Sequence, residues 1–276
     1  MAGSFRSLLA DLEAEHDSLD RVVAGLDERG WDTSTPAEGW RVRDQVGHLT
    51  FFDRTAAQSA RDPEAFVADR DRALADITAF ARDAESIGRT LSGDALLDAW
   101  RVARAELVVA LATAAECDES ARLPWYGPPM SLRSFTTARL METWAHGQDV
   151  VDGLDLPLTA RPPTDRLAHI AFLGCATRGW SYVVRGREAP ASPVLVTLTL
   201  PSGATFTNGD PSAADRVQGA ALDFCLVVTQ RRNVADTELE VTGDAATEWL
   251  SIAQAFAGGP TLPPPPGARL TGRRSA

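Results

Sequence analysis

The 276 residues carry a net charge of −11, with 38 acidic side chains against 27 basic ones, and 44% of them are hydrophobic. That allows two domains and a core that folds without metal or disulfide support, with no apolar run near the ~18–20 residues of a membrane span and no clustered basic face for nucleic acid. Every basic residue is arginine, which excludes Schiff-base chemistry, a lysine general base and a Walker-type phosphate loop.

In chain order, Ser4 to about Gly30 reads as an amphipathic helix, with Leu8, Leu12, Leu19, Val23 and Leu26 at helical steps and His16 on or beside that stripe. A Ser/Thr/Pro break at Thr33 to Gly39 precedes Trp40 and a second helix, Val42 to about Ala60, with Val46, Leu49 and Phe52 facing inward and His48 at its middle. After Asp62-Pro63 a polar helix or helix pair runs to Ile87, and Ser92-Gly93-Asp94 reads as a cap. The next helix, Ala95 to about Cys117, buries Leu96, Trp100, Ala103, Leu107 and Leu111. A loop from Leu123 to Met130 leads into a helix from about Ser131 to Val151 that carries Glu142 and His146. Four principal helices with loops of mixed length predict an N-terminal all-α four-helix bundle over residues 1–153.

Leu154 to Pro163 is a Pro-containing linker, and the composition changes beyond it. A helix is expected over Thr164 to about Val184, a strand at Val194 to Leu200, a turn at Pro201-Ser-Gly203 and a return strand at Ala204 to Thr207. A helix over Asp215 to Gln230, a strand at Thr237 to Val241 and a helix over Ala245 to Ala257 complete a small C-terminal α+β domain, residues 164–258. Residues 259–276, Pro-rich and basic, are expected to be disordered. The start of the chain turns acidic at once and lacks the layout of a signal peptide, so a cytoplasmic protein with a small-molecule substrate is the expectation.

Glu142 and His146 stand four apart on a helix and so project from one face. With His48 from another helix they would supply two imidazoles and a carboxylate, three ligands for a divalent metal with a position left open. Zinc suits this set, as do ferrous iron, nickel and manganese. Asp149, three residues after His146, is placed to orient an imidazole from behind. Cys117, Cys175 and Cys225 lack metal-type spacing, and the last two sit on apolar helix faces as small buried hydrophobes. His16 reads as an interior histidine rather than a ligand, and His169 as structural.

The segment Gly39-Trp-Arg-Val-Arg-Asp-Gln-Val-Gly-His-Leu49 resembles the Trp…His-Leu motif of the DinB-like superfamily, and more narrowly the mycothiol-dependent maleylpyruvate isomerases. Leu140-Met-Glu-Thr-Trp-Ala-His-Gly-Gln-Asp149 resembles that group's second motif. Asp223-Phe-Cys-Leu-Val-Val-Thr-Gln-Arg-Arg232 and Val241-Thr-Gly-Asp244 resemble its C-terminal, sterol-carrier-like module. The resemblance implies metal ligands at His48, Glu142 and His146, zinc as the metal and mycothiol as a thiol cosubstrate. It further implies an isomerase or thiol transferase acting on a small electrophile. The named isomerase's dicarboxylate substrates call for arginine, for which Arg231 and Arg232 are candidates, with helix C-terminal charges an equal alternative. Trp125 and Tyr126 are candidates for a pocket rim or for loop packing. A hydrolase or lyase using metal-bound water, and a non-enzymatic carrier of an apolar molecule, remain the competing readings. Oligomeric state is not legible.

Overall fold

The computed structural model describes residues 3–269, in two compact units, Met1–Leu156 and Pro157–Ala276. The first is helical: α1 (Phe5–Val23), α2 (Glu28–Trp31), α3 (Val42–Arg61), α4 (Pro63–Ala75), α5 (Ile77–Thr90), α6 (Gly93–Asp118) and α7 (Leu132–Gly153). The first helix is shorter than expected. The chain turns after Val23, and the Asp27 side chain accepts from Gly30 N–H to start α2 afresh. Ser4, Asp62, Asp76, Ser92 and Ser131 cap α1, α4, α5, α6 and α7 in the same way, each cap stabilising its helix by about 1 kcal/mol.

The four long helices α1, α3, α6 and α7 form the bundle, with α3 packed on both α6 and α7 and α1 on both α7 and α6. Their apolar stripes meet in a core containing Leu19, Val46, Leu49, Leu96, Trp100 and Val150, all buried. Burying each such leucine contributes about 1.5–3 kcal/mol. A polar knot sits inside this core, one residue from each helix. Oδ1 of Asp53 on α3 accepts two bonds from the Arg139 guanidinium of α7 and Oδ2 accepts one from Trp100 Nε1 of α6, while His16 of α1 stands 4.0 Å from Oδ2. Helix α5 crosses α3 at backbone contact. A Cβ on Gly88 would lie 2.4 Å from the Arg43 carbonyl oxygen, and one on Gly47 would lie 2.5 Å from Gly88 N. Between α6 and α7 two short strands, β1 (Arg122–Leu123) and β2 (Met130–Ser131), pair antiparallel and close the loop holding Trp125 and Tyr126.

The second unit contains α8 (Leu167–Ala176), α9 (Arg178–Val183), β3 (Val194–Thr199), β4 (Thr205–Asn208), β5 (Asp215–Ala220), α10 (Ala221–Val228), β6 (Glu240–Thr242) and α11 (Asp244–Ile252). The sheet order is β4-β3-β5-β6, with β3 and β5 parallel and the outer pairs antiparallel. Three expectations are corrected. The single helix from Thr164 divides at Thr177, whose hydroxyl bonds back to the Leu173 carbonyl. Asp215–Ala220 is a strand rather than the start of a helix, paired along its length with β3. There the Asp215 carboxylate accepts from Ala245 and Ala246 N–H and so caps α11. The segment from 259, expected to be disordered, is held as far as Gly267 by bonds from Thr261 Oγ1 to Gln230, from Asn233 Nδ2 to the Pro264 carbonyl and from Gly267 N to Asp236. The rest of the expected tail, 270–276, lies outside the described residues.

No helix among the described residues is long and apolar enough to cross a membrane.

Candidate metal centre

Arg41 N–H donates to the Asp44 carboxylate at 2.8 Å, starting α3 at Val42 and placing His48 in its second turn. Val46 and Leu49, both fully buried, fix the helix rotation so that His48 faces α7. On α7 the i, i+4 pair Glu142 and His146 faces back. The ligand atoms of the three residues all lie within 4.8 Å of one another. Glu142 Oε2 is 3.1 Å from His146 Nε2 and 3.7 Å from His48 Nε2. Among the described residues no other group of His, Cys, Asp and Glu side chains converges this way.

Burial, and then the neighbouring His146, push the His48 imidazole from 6.5 down to about 4, so it is neutral at physiological pH. Burial raises the Glu142 carboxyl, but its contacts with His146 and His48 and the charge of Arg139 outweigh that and hold it well below the usual range. The site therefore gathers an ionised carboxylate and two imidazole nitrogens, 3.1 and 3.7 Å from it. Ligands about 2.1 Å from a tetrahedral zinc stand roughly 3.4 Å from each other, and the two carboxylate–imidazole spacings, 3.1 and 3.7 Å, bracket that value. The residues suit a metal of the zinc class with three protein ligands and an open position.

Gln45, not singled out in the sequence, stands behind His146. His146 Nδ1 meets Gln45 Oε1 of α3 at 2.5 Å, and Gln45 Nε2 donates to Thr35 Oγ1 at 2.8 Å. Asp149 is buried one turn further along α7. Gln45 precedes His48 by three residues and so shares its helix face, a signal the sequence offered.

Aromatic rings surround the cluster. Trp40 stacks on His146 at 5.9 Å with an interplanar angle of 18° and lies 5.3 Å from His48. Phe52 is 4.5 Å from His48 and 6.2 Å from each of Phe80, Trp125 and Tyr126. Trp125 and Tyr126 are thus one ring removed from the cluster. Trp125 also stacks on Phe66, 5.6 Å away. Burial pushes the Tyr126 hydroxyl up to about 12, so it stays protonated.

Arg231 and Arg232 belong to the second unit and not to the helical unit that carries the cluster. They follow the C-terminus of α10, where Arg231 N–H reaches back to the Leu226 carbonyl in a Schellman turn with Gln230 at φ 59°. Their guanidinium groups donate to the backbone carbonyls of Thr229 and Arg231, and Arg232 is buried. Cys225 is fully buried and Cys175 half-buried, and burial pushes the Cys175 thiol up to about 12.

The profile of the family described as the mycothiol maleylpyruvate isomerase N-terminal domain matches residues 12–151. An uncharacterised protein found in two strains of Mycobacterium tuberculosis is 44% identical over 252 residues, covering 91% of this chain and 96% of the relative. Two crystal structures of a mycothiol-dependent maleylpyruvate isomerase, one of them a histidine-to-alanine mutant, superpose with TM-scores of 0.55 and 0.57. Each covers 83% of this chain and 90% of its own at 16% identity, which establishes a shared fold.

Proposed function

The chain belongs to the mycothiol maleylpyruvate isomerase N-terminal domain family, and from that membership and the His48–Glu142–His146 cluster we propose that it is a divalent-metal enzyme using a small thiol, mycothiol, on an electrophilic small molecule. The observation that carries this reading is the convergence of the three ligand atoms within 4.8 Å. His48, its imidazole pushed down by burial, and His146 act as nitrogen donors, and Glu142 supplies the negative charge that offsets a divalent cation. When bound, an ion of the zinc class favours the thiolate form of a coordinated thiol at neutral pH.

Neither a lysine nor Cys175 nor Cys225 competes as a nucleophile. There is no lysine, and both helix-face cysteines are held protonated by burial. An external thiol accounts for that gap. Its sulfur bonds to an activated double-bond carbon, and the π electrons shift to the activating group. Rotation about the resulting single bond and re-expulsion of the thiolate give cis–trans isomerisation, and retention of the new bond, with the carbanion taking up the proton the thiol lost, gives thiol transfer. Trp40 and Phe52 border the cluster with flat apolar faces, which exclude water and pack against the electrophile's skeleton.

The test is a turnover assay of zinc-loaded protein with an activated cis-alkene, with and without mycothiol. Conversion that needs both zinc and thiol is the expected result. Conversion with zinc but without thiol would move the assignment to a hydrolase or lyase using metal-bound water.

A further inference from the structure

We propose that Gln45 is a positioning residue that fixes which nitrogen of His146 carries the proton, leaving Nε2 bare as a donor. The consequence for metal binding rests on the function proposed above. The tautomer assignment itself rests on the hydrogen bonds alone.

The bonds form a chain with one self-consistent direction. The Trp40 carbonyl accepts both the Thr35 N–H at 2.8 Å and the Thr35 hydroxyl at 3.0 Å. With its single proton so used, Thr35 Oγ1 accepts from Gln45 Nε2 at 2.8 Å. The amide orientation is then set, and Gln45 presents Oε1 to His146 Nδ1 at 2.5 Å. An oxygen that only accepts requires N–H at Nδ1. In the neutral ring this leaves the lone pair on Nε2, 3.1 Å from Glu142 Oε2, on the side where a cation would bind. Turning the amide by half a rotation reverses every step. It breaks the Thr35–Trp40 side-chain bond and protonates Nε2, the nitrogen that must be bare to bind.

Three further features hold this arrangement. Gln45 has no solvent exposure, so water cannot replace either of its bonds. The loop that begins the chain is itself pinned, by Val42 N–H on the Thr33 carbonyl at 2.9 Å and a bridge between Ser34 and Arg41. The Trp40 ring stacks on His146 while the Trp40 carbonyl starts the relay. One loop thus constrains the imidazole through its plane and through its proton. A carbonyl or carboxylate acceptor behind a metal-binding histidine commonly contributes about 10–100-fold in affinity. Here a side-chain amide takes that place.

The experiment has two readouts, the ring 15N shifts of His146 in metal-free protein and the zinc affinity by chelator competition. Expected are an Nδ1–H tautomer in the wild type, zinc binding weakened about 10–100-fold in Gln45→Leu, and near wild-type affinity in Gln45→Glu, which keeps the acceptor and loses the donor to Thr35. An Nε2–H tautomer in the wild type, or unchanged affinity in a folded Gln45→Leu, would overturn the proposal. The tautomer measurement needs no variant, so it decides the matter even if Gln45→Leu does not fold. A wild type that takes up no zinc would defeat the metal reading, and the tautomer would still be decided by the 15N shifts.

Discussion

The imidazoles of His48 and His146 stand 4.4 Å apart, centroid to centroid, and both direct Nε2 toward the same oxygen of Glu142. They come from α3 and α7, which pack together in the bundle. The apolar faces that stabilise this packing therefore also bring the donors together. The same packing brings Gln45 from α3 against the back of His146.

Zinc binding should stabilise the fold only while all three donors are present. A ligand at a hundred times its Kd adds about 2.7 kcal/mol, or roughly 5–10 °C in Tm for a chain of this size. Thermal unfolding with and without zinc should show that shift in the wild type and lose it in His48→Ala, Glu142→Gln and His146→Ala. A full shift in any one of the three would remove that residue from the ligand set.

His16 should make stability depend on pH. Burial, against the pull of Asp53, pushes its imidazole from 6.5 down to about 4. Between those values the unfolded chain takes up a proton that the folded one refuses, so stability is lost as pH falls from 6.5 toward 4. The full difference is about 3 kcal/mol. His48 shifts in the same direction, so the comparison is wild type against His16→Gln, in which His48 is common to both. Denaturant titrations at several pH values should show the variant losing less over that window. Parallel curves would contradict the claim.

The α3–α5 crossing should not accept a methyl group. A Cβ on Gly88 would meet the backbone carbonyl of Arg43 at 2.4 Å, and neither helix can yield without shifting. Gly88→Ala should cost about 1–3 kcal/mol, read as a lower Tm. Because Gly47 beneath it adjoins His48, zinc affinity should fall as well. Wild-type Tm and affinity together would show that the contact is looser than described.

Thiol chemistry should distinguish the three cysteines. Cys117 is exposed, Cys175 is held protonated by burial and Cys225 is fully buried. A disulfide reagent should modify Cys117 quickly in the native protein and the other two only on unfolding, and Cys117→Ser should leave turnover unchanged. Inactivation that tracks modification of Cys175 would place a protein thiol in the reaction and argue against an external one.

The convergence of His48, Glu142 and His146 was legible in part from local spacing and in part from the family resemblance that joined His48 to the pair. Glu142 and His146 sit at helical spacing, and His48 lies mid-helix between buried Val46 and Leu49. What the sequence did not reveal depends on partners distant in the chain. Gln45 reads as one more polar residue in a helix until α7 supplies His146. Asp215–Ala220 reads as the start of a helix because its pairing with β3 is parallel and non-local. The segment after Gly259 lacks the apolar residues that usually hold a chain down, and it is held instead by Gln230, Asn233 and Asp236, whose bonding composition cannot report. Phe80 lies on a helix not assigned a place in the site, yet its ring packs against Phe52 and Tyr126 beside the cluster.

The most direct measurement is a cobalt(II) titration of metal-free protein followed by absorption, first alone and then with mycothiol. Saturation at about one equivalent is predicted, with visible bands of a low-coordinate ion and a new near-ultraviolet sulfur-to-metal band when the thiol is added. Both should be absent from the His48→Ala/Glu142→Gln/His146→Ala variant. Binding that does not saturate, or an unaltered spectrum in the triple variant, would contradict a metal held by these three side chains.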